Sequence, residues 1–369
     1  MPTTHTTSTE ARPLLYRDTV LSTMVVPTTI KKVLVVLCFD MLSIGLIVPL
    51  ITPFIRDLGA TPSQIGMISS VYGFTQLLSS PVLGRMSDRL SRRSVLLLSL
   101  VGGAIGYLLL GFATSITMVV VSRVIVGIFR QTMTVTKAWV TDTEHQHHNN
   151  NSSSETSTYL SWFYATASLG FMIGPALGGK LAKYSDMGVR LPFFISTILF
   201  LLNALGVYNC LPSGKIKLTS PGSVVQSTAP PTDSKTWFQE IATLRPEVRG
   251  LMLVRFFIGI SIMLSRSGIF MLMEYKLNMD LSDKGYIMSV YSIGGVVTQL
   301  VVVPCLVSYT TFTNSQLVTI SAVLLAGCQL FLGLATTSKS FYTVIVGLAV
   351  FSSVLKVAMS NALVSIPLL

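Results

Sequence analysis

Eight charged residues interrupt stretches of the sequence that are otherwise almost entirely apolar. They are Asp40, Arg123, Arg130, Lys137, Arg255, Arg266, Glu274 and Lys356. If these stretches lie in lipid, each charge at mid-membrane costs about 2.5–3.5 kcal/mol and needs a partner or a function. A carboxylate there can hold and release a proton, because burial favours its neutral form. Cationic side chains there can bind an anion or pair with the carboxylate.

The composition places these charges in a lipid bilayer. Of 369 residues, 50% are hydrophobic and only 11% are charged, whereas a soluble domain carries about 25% charged residues. The mean hydropathy is +0.66. The net charge of +11 does not indicate a nucleic-acid partner, because the basic residues are dispersed among the apolar stretches. We therefore expect a membrane protein.

Ten apolar segments have the length of roughly 20 residues that a membrane-spanning helix needs. They lie near 32–54, 66–83, 94–112, 117–140, 159–182, 191–211, 250–274, 285–307, 315–335 and 340–366. Small residues within them suit close packing of membrane helices. No alternating pattern typical of a membrane barrel is present. The predicted fold class is an all-α membrane protein.

The polar tracts divide the chain into four parts. We expect an N-terminal tail over 1–31, a six-helix bundle over 32–211, a central loop over 212–249 and a four-helix bundle over 250–369. The loop is rich in Pro, Ser and Thr, a composition without a packed core. Two matched halves are the plan of a large transporter class. The second half is two helices short of the first, so we expect the chain to be a fragment or an incomplete gene model.

Basic residues next to membrane helices mark the cytoplasmic face. The patch 85–93 has four arginines and one aspartate, a net charge of +3, and is therefore predicted to be cytoplasmic. The N-terminus, two helices earlier, is then cytoplasmic too. Lys183 and Arg190 do not follow the rule, because this topology places them on the outer side.

Three cations of the fourth segment, Arg123, Arg130 and Lys137, are spaced by seven residues. Seven residues are close to two turns of about 3.6 residues, so the three side chains are predicted to form a stripe along one face of the helix.

We expect Asp40 to be either a proton site or part of a structural salt bridge with Arg123 or Lys137. Arg123 is expected to be that partner, or a coupling residue, rather than a substrate ligand. For Lys356, substrate binding and snorkelling toward the interface stay open. Such a cationic cavity would favour an anionic or zwitterionic solute.

The charged patch after the second segment matches a known signature. Its sequence GRMSDRLSRR resembles G-x-x-x-D-R-x-G-R-R, found between helices two and three of the major facilitator superfamily. The matching residues are Gly84, Asp88, Arg89, Arg92 and Arg93. Ser91 stands where the family has glycine, and glycine suits a turn that needs positive φ.

The resemblance implies a role for each charge in the patch. Asp88 and Arg89 are expected to form a latch that holds the cytoplasmic face closed until the two halves rock apart. Arg92 and Arg93 are expected to set the orientation of the chain. The alternative is that all the arginines only set orientation.

The fifth segment resembles the signature of the superfamily's drug–proton exchangers. The matching residues are Gly170, Gly174, Pro175, Gly178 and Gly179. Proline there bends the helix, and the glycines allow close packing. Ser161 replaces a glycine of that signature, so a packing surface without exchange chemistry is the alternative.

The first segment resembles helix one of tetracycline–proton antiporters and their relatives. The residues that carry this resemblance are Asp40, Gly45, Pro49 and Pro53. Arg123 and Gly127 match an R-x-x-x-G element of the superfamily's fourth helix, so the resemblance extends over all ten segments. In this superfamily, helices one, four, seven and ten line the central cavity, and those segments carry the eight charges.

The main hypothesis is a multi-pass carrier that moves a small organic solute by alternating access and is coupled to protons. The rival is a membrane receptor, sensor or scaffold that has the fold of a carrier but does not transport. An enzyme is not expected, because the sequence has no catalytic triad, zinc-ligand spacing or phosphate loop. The expected partners are the lipid bilayer, a small-molecule substrate and protons, with no nucleic acid and no cofactor. We expect a monomer.

Two short polar stretches carry weaker signals. The tract 142–158 contains His145, His147 and His148, which favour either a metal site or, as we expect, a solvated loop without metal. Near the N-terminus, an acidic dileucine sorting signal is matched by Glu10, Leu14 and Leu15. Receptors read such signals as addresses. The sequence leaves endosomal or lysosomal membranes and the plasma membrane as alternative locations.

Overall fold

The computed structural model describes residues 28–147, 153–211, 246–277, 279–303, 305–306, 314–334 and 338–365. Within these ranges, seven helices form the first half: α1 (Thr28–Asp57), α2 (Pro62–Arg89), α3 (Arg92–Gly111), α4 (Ile116–Phe129), α5 (Thr132–His147), α6 (Ser153–Tyr184) and α7 (Arg190–Cys210). Four helices follow in the second half: α8 (Pro246–Met271), α9 (Leu281–Val297), α10 (Asn314–Leu334) and α11 (Ser338–Ser365). Short π-helical segments extend α8 over Leu272–Lys276 and α9 over Thr298–Val302.

The helices agree with the predicted fold class. Each of the ten predicted segments is helical over nearly all of its described residues, and the fourth segment is divided between α4 and α5. By length and composition, seven stretches of the described residues could cross a membrane: α1, α3, α4 with α5, α7, α9 with its π-helical segment, α10 and most of α11. The protein is therefore an all-α membrane protein.

Helices extend into two tracts that were predicted as loops. α5 continues to His147 and α6 begins at Ser153, so much of the tract 142–158 is helical rather than a solvated loop. α8 begins at Pro246, so the last four residues of the predicted central loop, 246–249, are helical. Proline suits the first turn of a helix, where its missing N–H costs nothing.

The starts of α2 and α3 show how the local sequence sets the beginning of a helix. Thr61 caps α2 in a reciprocal capping box with Gln64, and Pro62 occupies the first turn. Ser91 caps α3, and its hydroxyl accepts a hydrogen bond from the Ser94 N–H at 3.1 Å. Ser91 has φ −169°. The turn at Ser91 therefore does not use the positive φ for which glycine would be suited, since an extended N-cap suits serine.

The hydrophobic core of the first half surrounds α1. This helix packs against α6 and α7, and its Phe54 lies edge-on to Phe193 of α7, with ring centroids 5.2 Å apart. Tyr107 of α3 stacks on Phe200 of α7 at 5.4 Å. A separate core in the second half is built from α8 through α11. The two cores meet mainly where α6 packs along α9.

Glycines of α6 lie where this helix approaches its neighbours most closely. A Cβ at Gly174 would lie 2.7 Å from the carbonyl oxygen of Leu42 and 2.7 Å from the Cα of Gly45, both on α1. A Cβ at Gly179 would lie 2.6 Å from the carbonyl oxygen of Leu281 on α9. The glycine signature thus serves two contacts, one within the first half and one between the halves.

Candidate functional site

The membrane helix formed by α4 and α5 is broken at Arg130. Arg130 has φ −81° and ψ 81°, and the Gln131 N–H donates to the Phe129 carbonyl at 2.9 Å. This geometry is an inverse γ-turn. The break lies inside a stretch, Ile116–Asp142, that is apolar and long enough to span a membrane. Interrupted membrane helices are a common feature of transporter binding sites.

Side chains from α2 satisfy the backbone groups that the break releases. Gln76 donates to the Arg130 carbonyl at 3.2 Å, and Ser79 donates to the Gly127 carbonyl at 3.0 Å. Gln131 in turn donates to the Gln76 carbonyl at 3.1 Å and to the Ser79 hydroxyl at 3.2 Å. Lipid cannot supply hydrogen bonds, so these contacts allow the break to exist inside the bundle.

The break positions Arg130 against Asp40. Asp40 of α1 is completely buried, and Nη2 of Arg130 lies 3.7 Å from its Oδ2. Nη1 of Arg130 also donates to the Tyr72 hydroxyl at 3.2 Å. Among the described residues, neither oxygen of Asp40 accepts a hydrogen bond that meets ordinary geometry. The pair is thus a buried ion pair without the hydrogen bonds that would fully compensate its charges.

Arg123 does not pair with Asp40. The sequence led us to expect Arg123 or Lys137 as the partner of this carboxylate, but the partner is Arg130. The guanidinium of Arg123 instead lies over the Tyr107 ring, with Cζ 5.5 Å from the centroid. The expected salt bridge therefore exists, but with a different cation of the same segment.

Lys137 lies apart from the other two cations of the fourth segment. Its Nζ donates to the Tyr164 hydroxyl of α6 at 3.1 Å. The γ-turn interrupts the helix between Arg123 and Lys137, so the regular spacing of an unbroken helix, from which the stripe of three cations was predicted, does not continue through the segment.

The other expected cavity charges belong to the second half. Arg255 of α8 and Lys356 of α11 are exposed. The side chains of Arg266 and Glu274 lie outside the described residues, so their role stays a prediction. Within the described part of the chain, a cluster of charges forms in the first half from Asp40 and Arg123, which are buried, and Arg130, whose side chain is 12% exposed.

At the face predicted to be cytoplasmic, the arginine patch contacts the ends of two helices. Arg92 places Nη2 2.9 Å and Nε 3.0 Å from Oδ2 of Asp142 in α5, and its Nη1 donates to Ser87 at 3.1 Å. Arg93 donates to the carbonyl of Tyr208 near the end of α7, with its guanidinium 5.0 Å from that ring. Arg93 thus interacts with the negative end of a helix.

Arg92 and Arg93 were expected only to set the orientation of the chain in the membrane, but each also contacts the end of a neighbouring helix. Asp142 was not expected as a partner, because it begins a tract that was predicted to be a loop. The side chains of Asp88 and Arg89 lie outside the described residues, so the latch stays a prediction. Gly84 is half-buried, with open space where a Cβ would lie.

On the opposite face, an ion pair joins the two halves. Nζ of Lys183, near the end of α6, lies 2.6 Å from Oδ2 of Asp280, which caps α9. The hydrogen bond from Lys183 lowers the pKa of the Asp280 carboxyl below its usual value of 3.8. Two turns further in along α6, the Ala176 N–H donates to the Ser289 hydroxyl at 3.2 Å. This face is therefore closed between α6 and α9.

Two expected features fall on parts of the chain that the structure does not describe. One is the sorting signal Glu10, Leu14 and Leu15. The other is the histidine cluster, since the side chains of His145 and His147 and the whole of His148 lie outside the described residues. Among the described residues, no three metal-binding side chains come together. The sorting signal and the role of the histidines stay predictions.

Known proteins with similar sequences agree with this architecture. Residues 33–368 match the family model of the Major Facilitator Superfamily. Over 180 residues, the chain is 33% identical to the class B tetracycline resistance protein of Escherichia coli, a match that covers 48% of this chain and 42% of that protein. Over 165 residues, it is 30% identical to multidrug resistance protein 2 of Bacillus subtilis, covering 44% and 39%. The matched region thus spans about two fifths of the length of these relatives.

Solved structures show the same fold. The human organic anion transporter MFSD10 aligns with a TM-score of 0.67 at 18% identity, over 91% of this chain and 86% of that chain. A bacterial homologue of the human lysosomal transporter Spinster, inward-facing and unoccupied, aligns with a TM-score of 0.62 at 15% identity, over 90% and 73%. The family match extends over nearly the whole chain, and this protein belongs to the Major Facilitator Superfamily of membrane transporters.

Proposed function

We propose that the protein carries a small organic solute by alternating access and that Asp40 binds the coupled proton. The observation that carries this proposal is the completely buried carboxylate of Asp40, held 3.7 Å from Arg130 at a break in a membrane helix. Burial without hydrogen bonds makes the charged form of a carboxylate costly. An ionisable residue in that position is therefore suited to exchanging a proton.

The ion pair links protonation to the shape of the bundle. When Asp40 is ionised, it attracts Arg130 and stabilises the γ-turn that joins α4 to α5. When Asp40 is protonated, Arg130 keeps its hydrogen bond to Tyr72 but loses the attraction of the carboxylate. The loss of attraction frees the guanidinium to turn toward another anion. A two-state element of this kind lets a proton and a solute influence one another.

The relatives support a small organic solute. Proteins named for tetracycline and multidrug resistance match the chain over part of their length. One structural neighbour is an organic anion transporter. The clustered charges of the first half, among the residues that the structure describes, are two arginines and one carboxylate. This excess of positive charge favours an anionic or zwitterionic solute.

Proton flux in proteoliposomes tests this proposal. The purified chain is reconstituted with a pH-sensitive dye inside, and tetracycline or benzoate is added outside. We expect solute-dependent proton movement that falls at least tenfold in Asp40→Asn. Asp57→Asn is the matched control, because Asp57 lies on the same helix but is exposed and pairs with its neighbour Arg56. This control should stay within twofold of the unaltered protein.

Two outcomes contradict the proposal in different ways. Equal proton flux in Asp40→Asn and the unaltered protein would place the proton site elsewhere. The absence of any solute movement, with the protein correctly inserted, would instead favour a receptor, sensor or scaffold with this fold.

We also propose an endosomal or lysosomal location. It rests on the acidic dileucine match at Glu10, Leu14 and Leu15, and one structural neighbour is a bacterial homologue of a lysosomal transporter. Replacing Leu14 and Leu15 together by alanine should move a tagged protein from vesicles to the cell surface in fluorescence microscopy. An unchanged distribution would remove the signal from the proposal.

A further inference from the structure

Arg123 is a buried cation with unused hydrogen-bonding capacity. Only 5% of its surface is exposed, and its Nε and Nη2 make no hydrogen bond with any residue that the structure describes. The hydrogens on these two nitrogens lie along one edge of the planar guanidinium and point in nearly the same direction. Buried donors without an acceptor destabilise a protein. Their presence in a membrane helix therefore indicates a function.

The surroundings of Arg123 concentrate positive charge. The Tyr107 ring covers the guanidinium at 5.5 Å, and Tyr107 is close enough to Arg123, Arg130 and Asp40 to interact electrostatically with all three. Nε of Arg130 also has no hydrogen bond among the described residues. Two cations thus share a buried region with one carboxylate, and that carboxylate pairs with Arg130 rather than with Arg123.

We propose that the Nε and Nη2 edge of Arg123 binds the carboxylate group of the transported solute. This inference rests on the proposed function. The edge of a guanidinium presents two parallel N–H donors that match the two oxygens of a carboxylate. Lysine cannot reproduce this arrangement, because its ammonium group is a point charge. From the sequence we expected Arg123 to be the partner of Asp40 or a coupling residue rather than a direct ligand of the solute.

The position of Asp40 gives the site a second property. Asp40 pairs with Arg130 and so competes with the carboxylate of a solute for that cation, whose charge adds to the attraction of Arg123. A negative charge on Asp40 therefore weakens binding of the solute. Protonation of Asp40 removes that competition and leaves Arg130 available. Among the described residues, Arg130 pairs with Asp40, Tyr72 bonds to Arg130, and Tyr107 interacts electrostatically with Asp40, Arg130 and Arg123. The proton and the carboxylate therefore favour one another's binding.

Thermal unfolding of the purified chain in detergent tests the site without any transport. The midpoint is measured against increasing acetate, benzoate or succinate, with acetamide, benzamide and succinamide as neutral controls of the same shape. We expect saturable stabilisation by at least one carboxylate and none by its amide. The apparent dissociation constant should rise at least tenfold in Arg123→Gln and in Arg123→Lys.

Two variants complete the design. Asp40→Asn should bind the carboxylate severalfold more tightly, the opposite direction from Arg123→Gln, so the test stands even where the arginine variants do not fold. Arg249→Gln is the control for loss of a cation, because Arg249 is exposed at the start of α8. It should leave the apparent dissociation constant unchanged.

The results separate this inference from the proposed function. Equal stabilisation by acids and amides, binding unaffected by Arg123→Gln, or no tightening in Asp40→Asn would overturn the inference. Solute-dependent proton flux together with any of these results would leave the proposed function standing. Carboxylate binding through Arg123 without proton flux would contradict the proposed function alone.

Discussion

Lys183 and Asp280 form an ion pair between the two halves of the protein at the face opposite the arginine patch. Their charged atoms are 2.6 Å apart, and one residue lies near the end of α6 while the other caps α9. Deeper between the same helices, Ser289 accepts a hydrogen bond from the Ala176 backbone. A carrier that works by alternating access must open this contact in one of its states, so the ion pair is positioned to set the balance between them.

Removing this ion pair should expose the interface between α6 and α9. We expect Lys183→Met to increase the rate at which a membrane-impermeant thiol reagent labels a Ser289→Cys variant, because Ser289 is buried in the closed contact. The measurement requires the four native cysteines to be replaced by serine. Lys180→Met is the control, since Lys180 is exposed one turn earlier on the same helix. Equal labelling in both variants would show that the pair does not hold the face closed.

The same pair should resist acid. The Lys183 hydrogen bond lowers the pKa of Asp280 below 3.8. A carboxylate whose pKa is lowered by folding contributes stability above its unfolded pKa and loses it as pH falls through the folded pKa. That loss therefore begins below pH 3.8. Labelling of the Ser289→Cys variant, normalised to the denatured protein at each pH, should stay slow from pH 7 to pH 5. Faster labelling at pH 5 would indicate a different acid-sensitive contact.

Arg92 and Asp142 should be energetically coupled. Two nitrogens of the arginine contact one carboxylate oxygen, but both side chains are partly exposed, so we expect a coupling of about 1 kcal/mol. A double-mutant cycle with Arg92→Ala and Asp142→Ala, followed by unfolding in detergent, measures it and separates it from the Ser87 hydrogen bond. A coupling near zero would leave Arg92 as an orientation signal only.

Glycine to alanine changes should distinguish packed from open positions. Gly174→Ala forces a methyl group against the backbone of α1, and overpacking of this kind costs about 1–3 kcal/mol. Gly206→Ala on α7 meets no atom within 4 Å, and alanine favours helix over glycine by about 1 kcal/mol. Unfolding in detergent should therefore show loss of stability in the first variant and none in the second. Equal effects would contradict the close contact between α1 and α6.

Some of these features were predictable because they are local. Hydropathy identifies the ten segments, since the length and composition of a membrane helix are properties of one stretch of chain. The glycines of the fifth segment indicate a close helix contact for the same reason. Asp40 stands out because a carboxylate in an apolar run is costly whatever surrounds it.

The remaining features depend on residues distant in the chain. No proline or glycine lies within 128–133 to mark the break at Arg130, and the break exists because Gln76 and Ser79 of α2 donate hydrogen bonds to the released carbonyls. The sequence alone determined which segments enter the membrane and which charges must find partners there. The tertiary structure decided those partners, because a turn at Arg130 and the relative rotation of packed helices bring Arg130 to Asp40 and leave Arg123 with unpaired donors.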